Sequence, residues 1–475
     1  MARTPVAHMQ AVEIDEPGWD PRDAVPPAGR PDGLRLRRGH VVVALVGVLV
    51  LLVGTLVVGA VARDRDEARS DRIAAIPGML RPLSTAPAEL WRLQVPMVDG
   101  GLLAADGRLV VLHEQGGAWQ LTGHEPGTGE LLWSLPVVAA DRAGFEGGTV
   151  TCPTAGPDVG PLVLCEISGS TTTYAQDGAE LATPTSQVVA VDARTGTLVA
   201  SWDVPVQVLE LGRVDDDLVL AVAEADGHVR VSRVVGRTGE VAWTYRSPDI
   251  MHSLSIFRQA TLRVGTELVV IGGSATIVLD LDDGRELLEG SAYRTVQVVM
   301  VGERFGTWTA QAGGELWDRD SGRLFSLPGL PVRLSAQDGS TADVVISDLG
   351  AELAAVDAQD GTPLWRIPSQ LDPQLAAGGG FLLTGPSRFA VIDAGTGQTR
   401  WTVSLREPLR WRPLTDGALV VGPDSAPDGS DVLVGRGLDD GARYWQVPVP
   451  DGVQRVQSVG GHLVVRTWRE LLVLG

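Results

Sequence analysis

The stretch from Phe389 to Trp401, F-A-V-I-D-A-G-T-G-Q-T-R-W, decides how this chain is read. Phe389, Val391 and Asp393 alternate with Ala390 and Ile392 in the manner of a short strand. The chain then breaks at Gly395 and Gly397, and an extended segment carries it to Trp401. The unit is strand, tight turn, strand. Asp393 is placed to accept backbone N–H groups across the turn, and Thr396 adds a hydroxyl to the same network. Gly397 supplies a positive φ at no steric cost.

The same grammar recurs along the chain. E-P-G-T-G-E-L-L-W ends at Trp133, D-A-R-T-G runs from Asp192 through Thr195 to Gly196, and R-T-G-E-V-A-W ends at Trp243. D-L-D-D-G joins Asp280 to Gly284, D-R-D-S-G joins Asp318 to Gly322, and D-A-Q-D-G-T-P-L-W joins Asp357 and Gly361 to Trp365. L-D-D-G-A-R-Y-W ends at Trp445. Marked by their turn glycines, the copies fall at Gly129, Gly196, Gly239, Gly284, Gly322, Gly361, Gly397 and Gly441, spaced 67, 43, 45, 38, 39, 36 and 44 residues apart. A period near forty with about four short strands in each is what one propeller blade needs.

This repeat resembles the quinoprotein-type, or PQQ-like, β-propeller repeat over about residues 88–475. The pattern of that family is A-x-D-x-x-T-G-x-x-x-W, and the resemblance implies that Trp91, Trp133, Trp202, Trp243, Trp365, Trp401 and Trp445 dock against neighbouring blades. This chain departs from the pattern in several places. Glu125 stands for the aspartate, Val235 and Gly437 replace it outright, Leu288 and Ser326 occupy tryptophan positions, and Trp202 lies two residues late. Such decay suits packing elements, each worth about 3–5 kcal/mol for so large a ring, and it argues against any one copy being catalytic. The expected fold is all-β, an eight-bladed propeller, with nine as the alternative. Nine arises because Val453–Gly475 offers one more strand set with no motif after it, which Glu89-Leu90-Trp91 would complete across the termini.

Ahead of the repeats the composition changes. Residues 1–40 are rich in Pro, Gly and charge without an apolar period and read as a disordered tail. Residues 41–62 carry no charge, and 22 residues at helical rise span about 33 Å, enough for a hydrocarbon core of about 30 Å. We expect a retained transmembrane helix, with cleavage after Ala60-Val61-Ala62 as the alternative. Residues 63–87, starting R-D-R-D-E-A-R-S-D-R, read as a charged stalk. Arginines flank the span equally on both sides. The short tail, the single span and the large domain after it place the tail in the cytoplasm and the propeller outside the cell membrane.

Every one of the 39 basic residues is arginine, which excludes a P-loop lysine, a Schiff base and any lysine general base. With Ala, Gly, Val and Pro abundant, the absence of lysine also leans towards a high-GC, actinobacterial genome. Residues 1–72 hold ten Arg and ten acids, so the net charge of −20 belongs to the remainder, with 29 Arg against 49 acids. Nucleic acid is not an expected partner. Acid clusters such as Asp282-Asp283 and Asp439-Asp440 sit in predicted turns, where local hydrogen bonding outranks a calcium site. Cys152 and Cys165 flank a Pro/Gly-rich loop. Strands on either side would bring the sulfurs together, and a disulfide closing so short a loop contributes about 3 kcal/mol; two separate buried thiols are the alternative. An oxidised pair again suits an extracytoplasmic space.

No catalytic constellation emerges. The seven histidines show no H-x-x-x-H or H-E-x-x-H spacing, and there is no G-x-S-x-G. The PQQ-dependent dehydrogenases carry adjacent cysteines, a calcium site and a catalytic aspartate that cannot be matched here, so neither PQQ nor another cofactor is expected. The leading function is a non-catalytic scaffold that binds proteins or peptides at the membrane. A ligand-sensing ectodomain and a PQQ-dependent oxidoreductase are the alternatives.

Overall fold

The computed structural model describes residues 71–94, 97–116, 118–138, 149–154, 158–169, 172–175, 178–181, 186–204, 208–251, 260–288 and 296–475. The expected tail, the expected span at 41–62 and the first part of the expected stalk lie outside these residues. Among the described residues no helix is long and apolar enough to cross a membrane. The described residues fall within one compact unit, Asp66–Gly475.

That unit is a ring of antiparallel sheets. Taken along the chain, blades 1 to 8 occupy residues 97–138, 149–204, 208–246, 261–288, 297–327, 330–368, 372–404 and 414–448. A further sheet is built from Arg455–Val459, His462–Arg466 and Glu470–Leu474, with Glu89–Gln94 as its outermost strand. The count is therefore nine among the described residues, and the expectation of eight is corrected. The reason lies in the ninth copy. Its third strand, Glu470–Leu474, and its fourth, Glu89–Gln94, lie about 380 residues apart in sequence, so no turn joins them and no motif marks the copy. Gly475 N donates to Ala88 O at 3.0 Å and Ala88 N to Gly475 O at 2.9 Å, closing the ring where the other blades have a continuous turn.

Burial follows the strand's place in its blade. Second and third strands pack against neighbours on both faces and read as almost unbroken apolar runs, such as Leu162–Ser168 and Arg388–Asp393. Outermost strands alternate instead. In Glu89–Gln94, Val241–Arg246, Pro363–Pro368 and Arg443–Pro448 the tryptophan alone is buried. Nine buried clusters each join two adjacent blades. The seam between blades 1 and 2, for example, contains Val110, Trp133, Val163 and Cys165. The seam between blades 9 and 1 contains Trp91, Val111, Val464 and Val473, so the core is continuous around the ring.

Three blades depart from the common four-stranded plan, blade 7 by a fifth, parallel strand, Ala336–Gln337. Blade 4 has three strands among the described residues, and Leu288 enters its seam with blade 5. Blade 2 carries a hairpin of Thr172–Ala175 and Gly178–Leu181 between its second and third strands, which accounts for the 67-residue spacing.

Candidate functional site

Seven of the eight motif turns each hold one aromatic ring of the preceding blade. In the copy containing Phe389–Trp401, Asp393 N donates to Gln398 O and Gly397 N to Asp393 O, both at 2.8 Å. Asp393 Oδ1 accepts from Thr396 N at 3.0 Å and from Thr396 Oγ1 at 2.9 Å. Asp192 does the same with Thr195 at 2.8 and 2.9 Å, and Asp318 with Ser321 at 2.9 and 2.7 Å. Asp280 and Asp357 accept from the backbone two residues on, Asp282 N at 2.8 Å and Gln359 N at 2.7 Å. At Asp192, Asp318 and Asp393 the donors favour the ionised carboxylate and depress its pKa. The Arg400 guanidinium and then Thr396 hold Asp393 below its ordinary value, while the Thr195 and Ser321 N–H groups do so for Asp192 and Asp318.

The turn glycine then lies flat against an indole. At Gly397, where φ is +70°, an added Cβ would sit 2.8 Å from the Trp365 ring. The same close approach pairs Gly129 with Trp91, Gly196 with Trp133, Gly239 with Trp202, Gly284 with Trp243 and Gly441 with Trp401. In five of these pairs the indole N–H also donates to the carbonyl just after the aspartate position. Trp365 reaches Ala394 O at 2.7 Å, Trp401 reaches Leu438 O at 2.8 Å, and Trp133 and Trp243 reach Ala193 O and Leu281 O at 2.8 Å. Trp91 reaches Pro126 O at 2.7 Å.

The departures from the motif have local substitutes. Phe325, not Ser326, lies against Gly361. Leu288 is buried, and Gly322 on the following blade faces open space. Cys152 and Cys165 form a disulfide between the first two strands of blade 2, with Cα atoms 4.1 Å apart.

Trp445 has no motif turn to dock on, because blade 9 lacks one. Its indole donates to Leu83 O at 3.1 Å instead. Leu83 belongs to the described part of the expected stalk, residues 71–87, which is packed onto the ring. Met79 and Leu80 are fully buried in the seams flanking blade 8. Leu80 N donates to Thr415 O and Arg81 N to Gly461 O, each at 2.8 Å. Leu83 N donates to Asp416 Oδ2 at 2.8 Å, and Ser458 Oγ to Met79 O. Burial, followed by the neighbouring Arg81 charge, pushes His462 down to about 4. Neither Leu83 nor Asp416 was marked by the sequence motif.

The inner wall of the ring carries two hollows that share Arg455. One, of about 310 Å³, is lined by Arg410, Trp411, Arg412, Gln454 and Arg455 with Gly78 and Ser335. The other, of about 290 Å³, is lined by Leu103, Cys152, Thr154, Arg455, Gln457 and Arg466. Sequence reading missed these arginines. The signal available was the run L-R-E-P-L-R-W-R-P at 405–413, which joins blades 7 and 8 and is dense in arginine.

Fold and turns together define a tryptophan-docking β-propeller whose repeated motif is a packing device. The sequence profile described as Outer membrane protein assembly factor BamB matches residues 166–311 and 306–469, and the chain belongs to that family. Among solved structures, BamB from Moraxella catarrhalis is 14% identical, covering 82% of this chain and 99% of its own, with a TM-score of 0.43. Quinohemoprotein alcohol dehydrogenase from Comamonas testosteroni is 11% identical, covering 82% of this chain and 76% of its own, with a TM-score of 0.40. None of the curated proteins matches the sequence. The cysteines bridge neighbouring strands thirteen positions apart, and among the described residues no three His, Cys, Asp or Glu side chains gather where they could hold a metal ion.

Proposed function

We propose that this protein is a non-catalytic scaffold, tethered to the cell membrane by residues 41–62, whose propeller stands outside the cell and binds protein partners. The observation that carries this reading is the use of the motif residues. The aspartate bonds stay within their own turns and the tryptophan bonds and ring contacts go to the next blade, which leaves the loops and the inner wall as the surfaces for recognition. Membership of a family described as an assembly factor supports protein partners over small substrates.

The test is capture of the full-length protein from its own membrane after brief crosslinking, followed by mass spectrometry. A partner recovered in near-equal amount supports the scaffold. Recovery of the protein alone, together with quinone absorbance after addition of PQQ and calcium, would replace it with the oxidoreductase reading.

A further inference from the structure

The chain carries 49 acids against 29 arginines after residue 72, yet the two hollows on the inner wall contain no carboxylate among their lining residues. They contain Arg410, Arg412, Arg455 and Arg466 instead. Arg410 is neutralised by Glu407 at 2.8 Å and Asp431 at 2.7 Å. Arg412 and Arg455 are exposed and make no ion pair within the described residues. Around them stand neutral hydrogen-bonding groups, Gln454, Gln457 and Thr154.

A concave basic surface on a strongly acidic body is a focusing arrangement. Acidic ligands are repelled by most of the protein and drawn to this wall, where the flanking protein keeps the local dielectric low. We propose that the wall spanned by Arg412 and Arg455 binds an extended acidic segment of a partner protein, its carboxylates pairing with the two guanidiniums and its backbone amides meeting Gln454 and Gln457. This assignment rests on the scaffold reading and names the chemistry of the partner. Arginine suits the task because its planar fork meets a carboxylate with two parallel hydrogen bonds.

The experiment measures fluorescence anisotropy of a dye-labelled octaglutamate on the purified full-length protein, with octalysine as the opposite-sign control. Octaglutamate should bind at low salt and weaken steeply as the screening length falls from about 10 Å at 0.1 M to about 3 Å at 1 M. Arg412→Gln combined with Arg455→Gln should weaken it by about tenfold, the scale of two exposed ion pairs. Arg455→Lys should retain part of the binding, and Arg366→Gln, on the outer rim, should change nothing. Absence of octaglutamate binding, or binding indifferent to the double substitution with an unchanged melting temperature, would overturn the proposal. Equal affinity for inorganic tripolyphosphate would also overturn it, by showing a small-polyanion site. The two readings fail separately. If membrane capture recovers a partner equally well with the double variant, the scaffold stands and the wall is not its docking site. If octaglutamate binds but no partner is captured, the wall is confirmed and the scaffold fails.

Discussion

Five of the docking tryptophans, Trp91, Trp133, Trp243, Trp365 and Trp401, are held from two sides, by a glycine against the face and a carbonyl at the N–H. Truncating Trp365 or Trp401 removes about 3–5 kcal/mol of packing and leaves the Ala394 or Leu438 carbonyl without its donor. Trp365→Ala and Trp401→Ala should each lower the melting temperature by several degrees in differential scanning fluorimetry; unchanged melting for both would show that the indoles do not clamp the blades. The turn carboxylates add a pH dependence of known sign. Asp192, Asp318 and Asp393 are depressed below an ordinary 3.8, so their contribution is complete above that value and is lost as pH falls below it. The melting temperature should fall on acidification below about 3.8, and more shallowly in Asp393→Asn, which removes one carboxylate; identical slopes would remove Asp393 from the effect.

At the scale of the element, residues 71–87 serve as the ninth motif turn. They supply the carbonyl for Trp445 and fill the seams on both sides of blade 8 with Met79 and Leu80. A chain begun at Ala88 should therefore melt lower than one begun at Asp71, and Trp445→Ala should cost less in the shorter chain than in the longer one. Equal melting of the two chains would make the segment an ornament. The blades were readable in sequence because Asp, Thr, Gly and Trp at fixed spacing are each demanded by a local event. The stalk was not. R-D-R-D-E-A-R announces a solvated helix, whereas the contacts that matter come from Met79, Leu80 and Leu83, whose partners are more than 330 residues away. The arginine wall was hidden for the same reason: Arg412 and Arg455 approach each other only once blades 8 and 9 are side by side. The ninth blade was legible as a motif-free strand set completed by Glu89-Leu90-Trp91, and eight was favoured over it because the family resemblance implies eight.

For the whole molecule the proposal to test is that residues 41–62 tether the ring to the outside of a cell membrane. Residues 41–62 are long enough to cross, and the ring contains a disulfide, which an oxidising compartment preserves. Protease added to intact spheroplasts should degrade the propeller and spare a short N-terminal fragment detected by an antibody to the tail. A protected propeller would place it in the cytoplasm, and its release into the medium with Arg63 at the new N-terminus would show cleavage.

The two hydrogen bonds between Ala88 and Gly475 also fix an order of events during synthesis. Glu89–Gln94 leaves the ribosome about 380 residues before its pairing partner Glu470–Leu474. At about 5–20 residues per second, the first strand waits on the order of tens of seconds for its sheet to exist. Throughout that interval the growing arc presents an unsealed flank at each end, so the nascent protein is at its most adhesive just before Glu470–Leu474 appears.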